Sequence, residues 1–171
     1  MRPIVLHQGV EITGRVDIAT LLDSKHDLSV RTAFTWLPVA RFTGVRFSKI
    51  TGFAGVDVSG NRLPYAPART LTTTATDRHS RGVHVLLEAV HLGRQFGDDL
   101  NSVEPTPDGQ RGLLPSNTLW NVAVDYRLRQ TPLTLFATVK NVGDATVIVT
   151  RSRGVLPGMP RLVQVGARLA F

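Results

Sequence analysis

Arg15, Arg31, Arg94, Arg127, Lys140 and Arg168 stand singly along the chain, none adjoining another cation. Held on one wall they would attract an anionic ligand by focusing the field. Asp17, Glu88 and Asp125 would balance them in part, and a merely solvated wall is the simpler alternative. Little else has the spacing of chemistry. Ser, His and Asp all occur, but without a Gly-x-Ser-x-Gly elbow or a phosphate-cradling glycine loop. His7, His26, His79, His84 and His91 form no metal-spaced pair. The run Asp98-Asp99-Leu100-Asn101, with Asp108-Gly109, offers oxygen ligands without the ordered spacing of a calcium loop. There is no cysteine, so disulfides, thiol catalysis and zinc–thiolate sites are excluded. The expectation is no enzyme, no metal site and no cofactor.

Composition narrows what could position those cations. The net charge is +7, yet no Lys/Arg run gives the patch that nucleic-acid binding needs, so no nucleic-acid partner is expected. With 42% hydrophobic and 19% charged residues the chain is not disordered. No apolar stretch approaches the roughly 20 residues of a membrane-spanning helix. After Met1-Arg2-Pro3 only Ile4-Val5-Leu6 precede His7-Gln8-Gly9, so no export signal is read there.

The dominant period is two, which predicts strands. Trp120, Val122, Val124, Tyr126 and Leu128 face one way, and Asn121, Ala123, Asp125 and Arg127 the other. The same split runs through Val10 to Ile18, Leu28 to Trp36, Leu71 to Ala75, Val83 to His91, Leu133 to Val139 and Val163 to Phe171. About seven strands result, near the ten-residue length of a tilted membrane-barrel strand. Tight joins at Asp23-Ser24-Lys25-His26, His79-Ser80-Arg81-Gly82 and Gln130-Thr131-Pro132 alternate with long ones over 38–66 and 97–117 and a moderate one over 152–160. Short periplasmic turns and long external loops have this parity, which puts the C-terminus on the periplasmic side.

Alternation alone does not say which face is inside. The mixed-charge face suits a wet lumen, and Trp36, Trp120, Tyr126 and Phe171 suit interfacial girdles near strand ends. The expected fold is all-β: an antiparallel transmembrane β-barrel segment, an incomplete barrel or open curved sheet, with outer-membrane lipid as a partner. A self-standing small outer-membrane barrel would need an eighth strand, from 45–58 or 2–8. A soluble β-barrel holding an apolar ligand is the other alternative.

Five stretches carry a resemblance. They are Gly60-Asn61-Arg62-Leu63-Pro64-Tyr65-Ala66-Pro67, Leu92-Gly93-Arg94-Gln95-Phe96-Gly97-Asp98-Asp99, Gly112-Leu113-Leu114-Pro115 before Leu119-Trp120-Asn121-Val122, Val139-Lys140-Asn141-Val142-Gly143-Asp144, and Pro157-Gly158-Met159-Pro160-Arg161 before the last strand. In this order the chain resembles the C-terminal part of TonB-dependent outer-membrane receptors of the ferric-siderophore or ferric-citrate type. It departs from them at 141–147, which lacks the family's two rings, and at His91, where an aromatic is common.

The resemblance implies a Gram-negative outer-membrane location and uptake of a scarce nutrient complex. It implies a 22-stranded barrel with an N-terminal plug and a TonB-contacting segment in the intact protein. Residues 1–8 read as a lead-in and 9–171 as the barrel's C-terminal portion. With an odd strand count, no plug and no export signal, the expectation is a fragment that does not transport by itself. Family ligand contacts come mainly from plug apices and external loops. That favours the loops at 42–53 and 98–111 over the wall cations.

Overall fold

The computed structural model describes residues 4–18, 25–49 and 55–170. Seven long strands carry the alternating segments: β1 (Ile4–Asp17), β2 (His26–Thr43), β5 (Arg69–His79), β6 (Val83–Leu92), β9 (Asn117–Arg127), β10 (Leu133–Lys140) and β13 (Leu162–Leu169). They form one antiparallel meander in the order β1-β2-β5-β6-β9-β10-β13, and β1 and β13 do not pair with each other. Three short hairpins lie in the long connections: β3 (Phe47–Ser48) with β4 (Val56–Asp57), β7 (Gln95–Phe96) with β8 (Leu113–Leu114), and β11 (Ile148–Thr150) with β12 (Leu156–Pro157).

Register keeps one apolar face continuous across the sheet. Val10 pairs with Trp36, Ile12 with Phe34, and Phe34 in turn with Leu71. Ala75 pairs with Leu87, Leu87 with Val122, Val124 with Ala137 and Ala137 with Val165. A one-residue slip in any ladder would invert a strand's faces, so this agreement fixes the register. The face is not packed: Ile12 is 59%, Val163 60% and Val165 76% exposed. The apolar residues that are fully buried among those described are Ala40, Phe42, Val58 and Leu114, all at the long-connection end. A soluble barrel would instead bury one whole face of its sheet.

The opposite face holds Arg31, Thr74, Glu88, Asn121, Ala123 and Thr138, but also Leu86, Val90, Leu119 and Phe136. It is mixed rather than polar. The Phe136 ring lies over Gly166, where a Cβ would come within 2.5 Å of it.

Two expectations change. The long connection does not begin at Pro38, because β2 runs on to Thr43. A register shift between Gln8 and Val10 lets Gly9 oppose the extra residue beside Pro38. Bulges are where a strand tolerates a proline that cannot donate to the ladder. A Cβ on Gly9 would sit 2.5 Å from the Trp36 carbonyl oxygen, so the bulge depends on that glycine. The last connection is also longer than 152–160, running over 141–161. Asn141 turns the chain there with a positive φ and buries its side chain against Ala145 and Met159.

Among the described residues neither proposed eighth strand is present. Within 45–58 the described residues form the separate β3–β4 hairpin, and the described part of 2–8 is the start of β1. The first tight join, at 23–26, lies partly outside the described residues, and Phe171 lies wholly outside them.

Candidate functional site

The wall cations are spread over several strands and are not gathered. Arg15 is spent on Asp17 at 2.8 Å and sits opposite Arg31 in register. Arg168 lies opposite Thr134, its guanidinium 5.9 Å from the Phe136 ring centroid. Lys140 lies at the long-connection end of β10, opposite Leu162. Arg127 is at the other end, in a cleft between tight turns with Arg81 and Arg129. Arg94 stands apart, beyond the end of β6, around a depression shared with Ala68, Arg69, His91 and Gly93. Between the cations run polar pairs: Asn121 Nδ2 donates to Glu88 at 2.7 Å, and His84 Nδ1 lies 3.4 Å from Asp125. The aromatics Trp36, Trp120 and Tyr126 all sit on the apolar face, each more than two-fifths exposed.

What the chain does bring together is its three long connections. The first and second are joined around Arg62. Its backbone N–H donates to Asn101 Oδ1, Asn101 Nδ2 donates back to the Arg62 carbonyl, and both distances are 2.8 Å. Asn61 Nδ2 donates to the Asp99 carbonyl and Ser48 Oγ to the Asp99 carboxylate. The Arg62 guanidinium donates to the carbonyls of Ala66, Pro38 and Leu37 at 2.9, 3.1 and 2.7 Å. Burial holds its pKa below the usual arginine value.

Tyr65 ties in the third connection. Its N–H donates to the Phe96 carbonyl, and its hydroxyl accepts from Thr150 Oγ1 and the Arg151 N–H. It does this at φ 55°, an unfavourable conformation for a bulky residue that these contacts must hold. Arg151 in turn donates from its guanidinium to the Gly109 carbonyl at 3.3 Å.

The canopy these bonds make borders an open pocket of about 770 Å³. Phe42 lines it from the end of β2, Arg46 from the first connection and Asp98, Asp99, Asp108, Gln110 and Arg111 from the second, joined by Leu63, Pro64, Tyr65 and Ser152. Thus Phe42 and Arg46 of 42–53 meet residues of 98–111, the other loop singled out by sequence, at one opening, and 50–53 lie outside the described residues.

The carboxylates there are largely engaged. Asp98 is buried and accepts from the Ser102 N–H and Oγ and the Gly112 N–H. Asp99 accepts from Ser48. Asp108 accepts from Thr106 Oγ1 and the Gln110 N–H, which hold its pKa below the ordinary carboxylate value. The cations are freer. The Arg46 guanidinium lies 4.2 Å from the Phe42 ring centroid, and its buried Nε has no hydrogen-bond partner. Such a mouth can offer charged donors and an aromatic edge to an anionic ligand.

Sequence reasoning did not reach Tyr65 and Ser152 as lining residues. Tyr65 sits in a quoted motif, but nothing local marks its bonds to residues 85 and 86 positions away.

Comparison with known proteins completes the picture. The family model for the TonB-dependent receptor-like β-barrel matches residues 5–142. The unliganded ferric citrate transporter FecA superposes with a TM-score of 0.76 at 25% identity, covering 94% of this chain and 24% of that one. The ferric-catecholate import receptor Fiu of E. coli K12, in its closed form, gives 0.68 at 18%, covering 96% and 21%. The siderophore receptor PiuA of Acinetobacter baumannii gives 0.66 at 19%, covering 82% and 19%. The chain therefore spans about a quarter or less of the receptors it resembles. With the meander, the tight-turn and long-loop parity and the family match together, the chain belongs to the TonB-dependent receptor β-barrel family.

Proposed function

We propose that this chain forms part of the wall and mouth of an outer-membrane receptor that takes up an anionic ferric chelate. In this reading the apolar face meets lipid, the mixed face lines a wet interior, the long connections lie outside and the tight turns lie in the periplasm. Arg15, Arg31, Arg127, Lys140 and Arg168 then set the field of the interior, and Arg46 and Arg111 contact the ligand at the mouth. FecA's name, a ferric citrate transporter, supplies the ligand class.

The observation that carries the reading is the unpacked apolar face. Many of its large side chains, among them Ile12, Leu135 and Val165, are more than two-fifths exposed, and ten such side chains make a conservative reckoning. Left in water they would forgo roughly 1–1.5 kcal/mol each, about 10–15 kcal/mol together, as much as an ordinary domain's whole stability. Lipid removes that cost. The height fits as well: Leu28 to Trp36 runs about 26 Å along β2, or about 20 Å after a tilt of ~40°, near the ~25 Å apolar band of outer-membrane barrels. Trp36 and Trp120 lie toward the loop end and Tyr126 toward the turn end, as interfacial residues would.

A bilayer does not tolerate the unpaired edges of β1 and β13. Further strands therefore close the intact receptor, to which the family adds a plug and a contact with TonB, and in this reading the sheet does not transport alone.

The lack of cysteine makes the test clean. Single-cysteine spin labels at Val124 and Val165 should be relaxed by lipid-soluble oxygen, and those at Ala123 and Gln164 by a water-soluble nickel chelate. Equal access of nickel to all four would end the membrane assignment.

A further inference from the structure

We propose that the loop end of the apolar face carries a docking site for one class of membrane lipid, an acylated lipid whose headgroup bears phosphate. This rests on the membrane reading above. Small side chains leave a hollow of about 420 Å³ in the middle of that face, floored by Thr73, Ala75 and Ala89 and walled by Leu71, Leu87 and Trp120. At its upper end the hollow reaches His91 and Thr118, which are joined by a 2.9 Å hydrogen bond. His91 also belongs to the second depression, of about 350 Å³, lined by Arg69, Arg94, Gly93 and Ala68. The two adjoin at His91: an apolar furrow along the strands lies beside a basic recess at the rim.

Register explains the recess. Leu71 pairs with His91, and the next outward position on β5 is Arg69, whose carbonyl accepts from Gly93 N–H at 2.9 Å. Arg69 thus stands on the lipid-side face, next to Trp36 of β2. No carboxylate lines either depression, and among the described residues neither Arg69 nor Arg94 has an ion-pair partner.

The chemistry selects the occupant. An acyl chain fills an apolar furrow at no polar cost, and two guanidiniums at the headgroup level favour a phosphate through charge-assisted, bidentate bonds. A zwitterionic lipid fits the furrow but brings its own cation to the recess. A soluble anion fits the recess but leaves the furrow bare.

Trp120 reports on the furrow directly. The full chain carrying Trp36→Phe, with Trp120 as its one indole, is placed in neutral detergent and titrated with acyl-brominated phosphatidic acid or phosphatidylcholine. Bromine quenches an indole on contact. Phosphatidic acid should quench with at least a fivefold lower half-saturation than phosphatidylcholine. Arg69→Gln with Arg94→Gln should remove that preference while leaving phosphatidylcholine quenching intact. Ala89→Leu, which fills the furrow, should weaken quenching by both lipids. Equal half-saturation for the two lipids, or a preference that survives the double glutamine variant, overturns the proposal. Absence of quenching by either lipid would instead overturn the membrane reading beneath it.

Discussion

Arg62→Ala should unpin the canopy without disturbing the wall. Three guanidinium bonds vanish, to the carbonyls of Ala66, Pro38 and Leu37. Bonds to a charged donor are worth about 1.5–3 kcal/mol each when buried, but Arg62 is only partly buried and water can reach some of the freed oxygens. Desolvating the guanidinium also offsets part of the gain, in keeping with its lowered pKa. About 1 kcal/mol per bond, or ~3 kcal/mol in all, is a reasonable net figure, which is a factor of roughly 150 in a local opening equilibrium.

Amide hydrogen exchange of the chain in detergent reads that equilibrium at reporters nearby. Leu63 N–H donates to Ala40, Tyr65 N–H to Phe96 and Leu37 N–H to Ala68. Protection at these three amides should fall by about 50- to 200-fold, while Thr138 and Gly166 in β10 and β13 stay within about threefold. Arg62→Lys keeps the charge but lacks the planar fork, so it should recover less than half of the lost protection on a logarithmic scale. Unchanged protection at Leu63 and Tyr65 would refute the assignment of Arg62 as the pin. So would an equal loss in β10 and β13, which would make the effect global.

Three further outcomes follow from the loops and turns. Gly82→Ala should lower stability by about 1–3 kcal/mol in urea titration, because φ there is +90° and a Cβ would lie 2.6 Å from the Arg127 carbonyl. A midpoint within error of the parent would contradict that geometry. Tyr65→Phe removes the acceptor for Thr150 and Arg151 and should raise exchange in 148–157 by about 5- to 10-fold, with 60–64 little affected. Asp108 binds its proton less tightly in the folded turn than in an unfolded chain. Its contribution is therefore present above an ordinary carboxylate value of about 4 and lost as pH falls through its lower folded value. Protection at Gln110 and Arg111, corrected for intrinsic rates, should fall in that acid window, and Asp108→Asn should remove the step.

The wall was legible in the sequence because one physical rule governs it throughout. Side chains alternate, the apolar set of each strand pairs with that of the next, and Val122, Val124 and Tyr126 announce it without reference to any distant residue. The rule misled in two places. Pro38 reads as a strand end, but the compensating residue, Gly9, lies on the neighbouring strand and only pairing reveals it. Leu86, Val90 and Phe136 are apolar on the face read as polar, since a period-two reading assigns faces from whichever set is greasier. The canopy was much less legible. Arg62 with Asn101, Tyr65 with Arg151 and Ser48 with Asp99 join residues 39, 86 and 51 positions apart, through single side chains with no periodicity to betray them. The motifs carrying the family resemblance, at 60–67 and 92–99, mark these residues without saying what they hold.

That division separates two functions of the chain that need not share residues. On the proposed reading a wall strand answers to lipid on one side and water on the other, so its identity is set by period and volume, and many residues serve. A loop that shapes a binding mouth must keep particular donors and acceptors at fixed separations. It does so here by spending polar side chains on backbone groups: Asp98 on the Gly112 N–H, Asn101 on the Arg62 carbonyl, Tyr65 on the Arg151 N–H. The groups left unspent are then the ones available to a ligand. At this mouth the guanidinium of Arg46 stacks on Phe42 and the charge of Arg111 interacts with Asp108, and among the described residues neither arginine is locked in a side-chain ion pair. On the proposed reading the carboxylates pin the frame and the arginines line the opening, so a preference for an anion would rest on which charges the fold consumes more than on the net charge of the chain.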